Sequence, residues 1–138
     1  MTMEPLPYVD EHRAHVCATP ERTWDAVLQL TRGRLGRPAP GAFVALWHLE
    51  PSSGFAVADE TAPRHLALRG RHRFSRYELA FDIEPGPDGV TLSARTSAEF
   101  PGIAGRAYRA LVIGSGGHGI IVRQMLKQIA RSAESSQS

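Results

Sequence analysis

The sequence has one cysteine, Cys17, one lysine, Lys127, and few aromatic residues, which make up 7% of its 138 positions. A single cysteine excludes an internal disulfide and a cysteine-based zinc site. The six histidines show no close metal-ligand spacing. The nearest approach to a long apolar run, residues 107–113, contains Arg109 and is far too short to span a membrane. We therefore expect no metal, no cofactor and no membrane span.

The charge balance is close to neutral. The sequence contains sixteen cationic residues, fifteen of them arginine, and fourteen acidic residues, which gives a net charge of +2. Bulk electrostatics therefore do not require a polyanionic partner. The first ten residues lack the apolar core of a signal peptide, which favours a cytoplasmic location. The length fits a single domain spanning residues 1–138, with flexible tails expected at 1–7 and 134–138.

Four arginines fall between residues 69 and 76, a density that raises the question of nucleic-acid binding. The alternation of the chain places these arginines opposite Glu78, Asp82 and Glu84 if the two segments pair as a hairpin. Cross-strand ion pairs on the wet side of a sheet explain such a pattern. We therefore expect no nucleic-acid partner.

The period of the apolar residues predicts a helix followed by a series of strands. Thr19 and Pro20 form a helix start after a first strand, and that helix is expected to end near Thr31. A glycine- and proline-rich stretch follows, and then the apolar period becomes two. The predicted strands cover residues 8–18, 42–49, 55–61, 65–74, 76–84 and 90–100, with a hairpin loop at 85–89.

The last third of the chain predicts an interrupted helix from about residue 103. Three glycines within residues 114–117 must break or kink it. Its second part carries an apolar stripe made by Val122, Met125, Leu126, Ile129 and Ala133, with cations on the other side. Each strand has one dry face, so this helix is expected to cover the sheet. The predicted fold class is α+β, a curved antiparallel sheet wrapped around a long C-terminal helix.

A family resemblance is found in three segments: residues 18–27, residues 63–69, and residues 100–108 together with the distant His118. The first contains the Pro-Glu-x-x-Trp helix start (Pro20, Glu21, Trp24) and the third a Phe-Pro-Gly turn. This order of elements and segments resembles the START-related SRPBCC superfamily, which has the helix-grip fold and includes polyketide cyclase/dehydrase-like proteins. The third segment is similar to an uncharacterised branch. The resemblance implies a container for small molecules and fixes no reaction.

Two functions of different classes are compatible with this container. The first is binding of a small apolar or aromatic metabolite or lipid between the sheet and the C-terminal helix. The alternative is a polyketide cyclase/dehydratase-like enzyme that uses an enclosed acid or base such as His72, Asp59 or Tyr77. A structural or partner-binding module is a third hypothesis, and a homodimer is left open. No nucleophile elbow or dinucleotide fingerprint is present.

Bulky and polar residues at inward positions are the candidate cavity lining. His12 also falls on an inner face, as either a hydrogen-bonded core histidine or an acid/base group. Arg106 and Arg109 are candidates for pairing with Asp59 or gripping a ligand carboxylate. The glycine run at 114–119 lacks the lysine of a phosphate loop, which favours a hinge. The candidate lining residues are Trp47, Phe55, Asp59, His72, Tyr77, Phe81, Thr96, Phe100, Tyr108 and Met125.

Overall fold

The computed structural model describes five stretches of the chain: residues 6–32, 56–72, 75–100, 102–112 and 116–135. Within these stretches the backbone alone is described at residues 71, 72, 75, 104, 108, 111, 112, 117 and 118. The predicted strand at 42–49, together with the candidate residues Trp47 and Phe55, lies outside the described residues.

The described residues form five strands and three helices. In chain order these are β1 (Tyr8–Val16), α1 (Pro20–Leu30), β2 (Ala56–Thr61), β3 (His65–His72), β4 (Ser75–Gly86), β5 (Gly89–Glu99), α2 (Gly102–Val112) and α3 (Gly117–Ser135). All strand pairs are antiparallel, in the order β1-β5-β4-β3-β2. The predicted fold class, a curved antiparallel sheet with a long C-terminal helix, is confirmed.

Helix α1 begins where its sequence predicted. The Thr19 hydroxyl accepts a hydrogen bond from the Arg22 N–H at 3.2 Å, and Pro20 occupies the first turn. This cap satisfies one of the amide groups that every helix start leaves without an intrahelical partner. The helix ends at Leu30 and buries Trp24 and Val27 against the sheet.

The β4–β5 hairpin turns within residues 87–88 and returns beside β1. Gly89 has a φ of +138°, and a Cβ at this position would overlap the Val16 carbonyl oxygen. Both observations require glycine, because a side chain here has neither a favourable backbone conformation nor space. The predicted hairpin loop is therefore confirmed, and its glycine also lets β5 approach the end of β1 closely.

The C-terminal helix is divided in two, as the glycine run predicted. Helix α2 ends at Val112, α3 begins at Gly117, and Gly116 between them has a φ of +81°. The predicted apolar stripe of α3 is confirmed: four of its members are buried and Met125 is partly buried. Its cations at 123, 127 and 131 are exposed. Helix α3 runs through the first two residues of the expected C-terminal tail.

Two backbone contacts tie the ends of the described chain to the sheet. The Cys17 N–H donates to the Glu134 carboxylate at 2.9 Å, which anchors the last turn of α3. The Ala98 N–H donates to the Pro7 carbonyl oxygen at 2.8 Å. Pro7 and Glu134, which the sequence assigned to flexible tails, therefore each make a defined hydrogen bond.

The core lies between the inner face of the sheet, α1 and the second half of α3. Its largest fully buried side chains include Phe81, Leu92 and Ile129. The outer face carries one of the expected cross-strand pairs, with Arg69 Nε at 2.8 Å from Glu78. Asp82 instead lies 2.7 Å from His65 Nδ1, and Arg71 is opposite Arg76 rather than an acidic residue. Among the described helices, none is both long and apolar enough to cross a membrane.

Candidate ligand-binding site

An apolar groove of about 270 Å³ lies between the end of α1 and strands β2 and β3. Leu66 and Leu68 of β3 form its floor, and both are almost fully buried. Leu28 and Val57 form the two apolar walls. The remaining lining residues are polar or charged: Thr31 and Arg32 at the end of α1, and Glu60 on β2.

The groove follows from the alternation of β3 together with an irregularity in β2. Leu66 pairs with Phe81 and Leu68 with Leu79, so both leucines point to the face that carries the core. Val57 pairs with Leu68 and Glu60 with Leu66, which puts Val57 and Glu60 on that same face. They are three residues apart because the register shifts between Val57 and Asp59.

This register shift corrects the placement expected for Asp59. A strict period of two puts Asp59 beside Val57 on the inner face, whereas the structure pairs Asp59 with Ala67 on the outer face. The Asp59 side chain is 67% exposed, and its carboxylate lies 3.6 Å from Nε2 of His65. Asp59 does not line the groove, because a bulge reverses the facing of every residue beyond it.

A second polar feature lies at the other edge of the inner face, on β1. The Asp10 carboxylate is 3.2 Å from Nε2 of His12, and both side chains are partly buried, with 29% and 20% exposed. The pairs Asp10–Thr96 and His12–Ala94 place both residues on the inner side. The first turn of α3 lies close to His12, since a Cβ on Gly119 would lie 3.6 Å from its Nε2.

Three candidate residues share the inner face of β4 and β5 without reaching the groove. Phe81 is 1% exposed inside the packed core, and Thr96 is 5% exposed. Tyr77 is half-buried opposite Ala98. On α3, Met125 is partly buried against the same core. Inward facing was therefore predictable from alternation, whereas the position of open space along that face was not.

The remaining candidate residues lie near the C-terminal helices or at a strand end. Phe100 follows β5, and the Arg109 guanidinium lies 6.0 Å from the centroid of its ring. This stacking occupies one face of the ring. For His72 and Tyr108 the backbone alone is described: residue 72 ends β3 on an inner-face position, and residue 108 lies within α2.

The residues that line the groove were absent from the predicted cavity lining. Leu66 and Leu68 had the expected inward alternation, and Leu28 had helical spacing with Trp24, but all three read as ordinary core. Asp10 was missed as well, although Asp-x-His in a strand places both side chains on one face. No cluster of three or more metal-ligating side chains occurs within the described residues.

No family model matches the sequence, and no curated protein matches it. Among solved structures, a conserved protein from Geobacillus kaustophilus is similar, with a TM-score of 0.61, 18% identity and coverage of 91% of this chain and 95% of that one. The Aha1 dimer from Colwellia psychrerythraea gives a TM-score of 0.59 at 11% identity, covering 99% of this chain and 100% of that one.

A third similar structure is the di-domain ARO/CYC StfQ from the steffimycin biosynthetic pathway. The TM-score is 0.54 at 10% identity, and the match covers 94% of this chain and 52% of StfQ, so this chain spans about half of that protein. At such identities the likeness is one of fold, and fold alone does not establish function. The chain has the helix-grip fold that these proteins share.

Proposed function

We propose that this protein binds a small apolar or aromatic molecule in the groove between α1, β2 and β3. The observation that carries the proposal is a floor of two buried leucines, Leu66 and Leu68, beneath an opening of about 270 Å³. Ligand sites in proteins combine such apolar walls with a few polar groups that orient the ligand. Arg32 and Glu60 supply those groups here, one of each charge.

The groove differs in position from the cavity that the sequence suggested. Helix α3 packs directly on the core through Val122, Leu126 and Ile129, each at most 2% exposed. Close packing of this kind leaves little room for a ligand beneath that part of the helix. The groove lies beside α1, so the binding proposal places the ligand on the other side of the inner face from α3.

The test replaces one residue of the groove wall with a larger side chain that fills the groove. In Val57→Trp, the indole of the new side chain occupies the space above Leu68. The matched control is Ala56→Trp on the neighbouring residue of β2, which pairs with Arg69 on the outer face. Both positions are exposed, so both variants are expected to fold.

The readout is the binding of 2-naphthol, a small aromatic probe, followed by NMR of methyl-labelled leucines. We expect shifts at Leu28, Leu66 and Leu68 in the wild type and in Ala56→Trp, and at least a tenfold weaker response in Val57→Trp. Native mass spectrometry of freshly purified protein then identifies any co-purifying molecule. Probe binding that is equal in the two variants, or absent from the three leucines, contradicts the proposal.

A second function is favoured by one contact, the hydrogen bond between Asp10 and His12. A carboxylate that holds one nitrogen of an imidazole orients the ring and leaves the other nitrogen to exchange a proton with a substrate. We infer that proton transfer of the cyclase/dehydratase type is the alternative activity. The likeness in fold to StfQ supports it, while Asp59, one of the acid/base residues suggested by the sequence, lies on the outer face.

Deuterium exchange at the α-carbon of 2-tetralone tests this alternative without knowledge of the natural substrate. The exchange is expected to be faster with the wild type than with His12→Gln, and Asp10→Asn is expected to give an intermediate rate. His15→Gln is the control, because His15 pairs with Thr91 on the outer face of β1. Equal exchange in wild type and His12→Gln removes the alternative and leaves the binding proposal intact.

A further inference from the structure

The charges of this chain are distributed unevenly along its sequence. Thirteen of its fourteen acidic residues precede residue 100, and the other is Glu134. Residues 100–133 therefore contain no acid, and they carry five cations. This segment contains α2 and nearly all of α3, so a net charge of +2 for the whole chain hides a strongly basic C-terminal unit.

These five cations are exposed, and no ion pair joins any of them to a carboxylate in the part of the chain that the structure describes. Arg109 stacks on Phe100, a contact that leaves its positive charge unbalanced. On the sheet, by contrast, Arg13 and Arg69 each contact a glutamate. The five cations are Arg106, Arg109, Arg123, Lys127 and Arg131.

The same two helices expose isoleucine side chains. Ile103 is 86% exposed, Ile120 is 55% exposed and Ile121 is 58% exposed. Ile103 and Ala107, one turn apart and both exposed, lie beside Arg106 on α2. On α3, Ile120 precedes Lys127 and Arg131 by seven and eleven residues, which puts them on one line along the helix. We call Ile103, Arg106, Arg109, Ile120, Lys127 and Arg131 the cationic helix surface.

We propose that the cationic helix surface docks on an anionic lipid bilayer. Helices that lie in a membrane interface combine exposed aliphatic side chains with arginine and lysine, which is the combination found here. The isoleucines enter the boundary between headgroups and acyl chains, while the arginines contact lipid phosphates. This proposal does not depend on the groove.

The composition of the surface distinguishes a bilayer from other polyanionic partners. Protein interfaces have centres poor in charge and rich in aromatic residues, whereas here the cations alternate with aliphatic side chains. Nucleic acid offers phosphates to the arginines but no hydrocarbon in which the exposed Ile103 and Ile120 could be buried. A lipid bilayer offers phosphate groups that bind the arginines and, below them, hydrocarbon that buries the isoleucines.

Co-sedimentation with vesicles tests the proposal on the full chain. Vesicles of phosphatidylcholine alone are compared with vesicles that contain phosphatidylglycerol as one third of their lipid. We expect the protein to bind the anionic vesicles at least tenfold more tightly, and to lose most of that preference as salt screens the charges. Each cation near an anionic surface contributes about fivefold to partitioning.

Two sets of variants separate the apolar and ionic contributions. Arg106→Gln with Arg109→Gln is expected to weaken binding about 25-fold, because each of the two cations contributes about fivefold. Ile103→Gln with Ile120→Gln removes the apolar side chains without changing the charge and is expected to abolish binding. The control, Arg64→Gln with Arg95→Gln, removes the same charge from exposed arginines outside α2 and α3 and is expected to change binding less than twofold. Circular dichroism checks that all variants fold.

Three outcomes overturn the proposal. The first is equal binding to the two kinds of vesicle, or no binding to either. The second is an equal loss of binding in the control variant, which assigns the effect to net charge. The third is a dimer, detected by sedimentation velocity, that Ile103→Gln with Ile120→Gln dissociates, which assigns the surface to a second copy of this chain.

Discussion

The outer face of the sheet and the exposed side of the C-terminal helices differ in how far their cations are balanced by acidic residues. On the sheet, Arg69 and His65 lie within 2.8 Å of acidic partners across the strands. On α2 and α3 the cations are exposed beside isoleucines, without such partners among the described residues. Two arginines of the sheet, Arg13 and Arg69, therefore have acidic partners, whereas the cations of the two helices have none among the described residues. Unbalanced cations beside exposed isoleucines are the property expected of a surface that contacts something else.

The largest expected effect distinguishes the two sides of α3 itself. Leu126 is 2% exposed, whereas Ile121 on the same helix is 58% exposed. Leu126→Ala is expected to lower the free energy of unfolding by about 2–5 kcal/mol, because it leaves a cavity in the core. Ile121→Ala is expected to change it by less than about 0.5 kcal/mol. Urea unfolding measures both, and similar losses contradict the assignment of Ile121 to an exposed surface.

The close approach of β5 to β1 is expected to give the next largest effect. Gly89→Ala puts a Cβ against the Val16 carbonyl oxygen at a φ of +138°. We expect a loss of at least about 2 kcal/mol in the free energy of unfolding. Gly86→Ala on the same hairpin is the control, since its Cβ has ordinary contact with Gly89 O at 3.7 Å. Thermal unfolding in which the control is as unstable as Gly89→Ala contradicts this explanation.

The cap of α1 tests how far local chemistry stabilises the layer that covers the sheet. Thr19→Ala removes the hydroxyl that accepts from the Arg22 N–H, and we expect a loss of about 1 kcal/mol. Thr19→Ser retains the acceptor, and its free energy of unfolding is expected to fall by only about 0.2–0.4 kcal/mol. Urea unfolding of both variants provides the measurement, and an equal loss in Thr19→Ser would assign the effect to the Thr19 methyl group.

The smallest effect directly compares paired with unpaired cations. Glu78→Gln is expected to cost about 0.5–1 kcal/mol of unfolding free energy, because Arg69 and Glu78 are only 22% and 18% exposed. Arg106→Gln is expected to change stability by less than about 0.3 kcal/mol. A double-mutant cycle between positions 69 and 78 isolates the pair. A coupling free energy of zero there, or a clear loss at Arg106, removes the distinction between the two regions.

Several elements could be predicted because their causes are local. The Thr19 cap, the hairpin glycine and the break between α2 and α3 depend on residues adjacent in sequence. The apolar stripe of α3 and the alternation of β5 follow from helix and strand periods. Asp59 was misplaced for an equally clear reason: the bulge between Val57 and Asp59 is fixed by pairing with β3, and a strand's own sequence does not reveal it.

The candidate site was harder to predict than the fold. Leu66 and Leu68 look like core in the sequence, and the packing of α1 and β2 around them decides that a groove remains. The Asp10–His12 pair needed only the period of a strand, yet the approach of Gly119 to His12 brings together residues more than a hundred positions apart.

The sequence by itself determined which residues turn inward along the regular strands, where helices begin and break, and that the last third of the chain is basic, because these properties depend on neighbours and composition. The tertiary structure alone decided where the inner face is filled and where it stays open. It also decided which arginines meet a carboxylate, because strand register and helix placement set the distances between groups far apart in the chain.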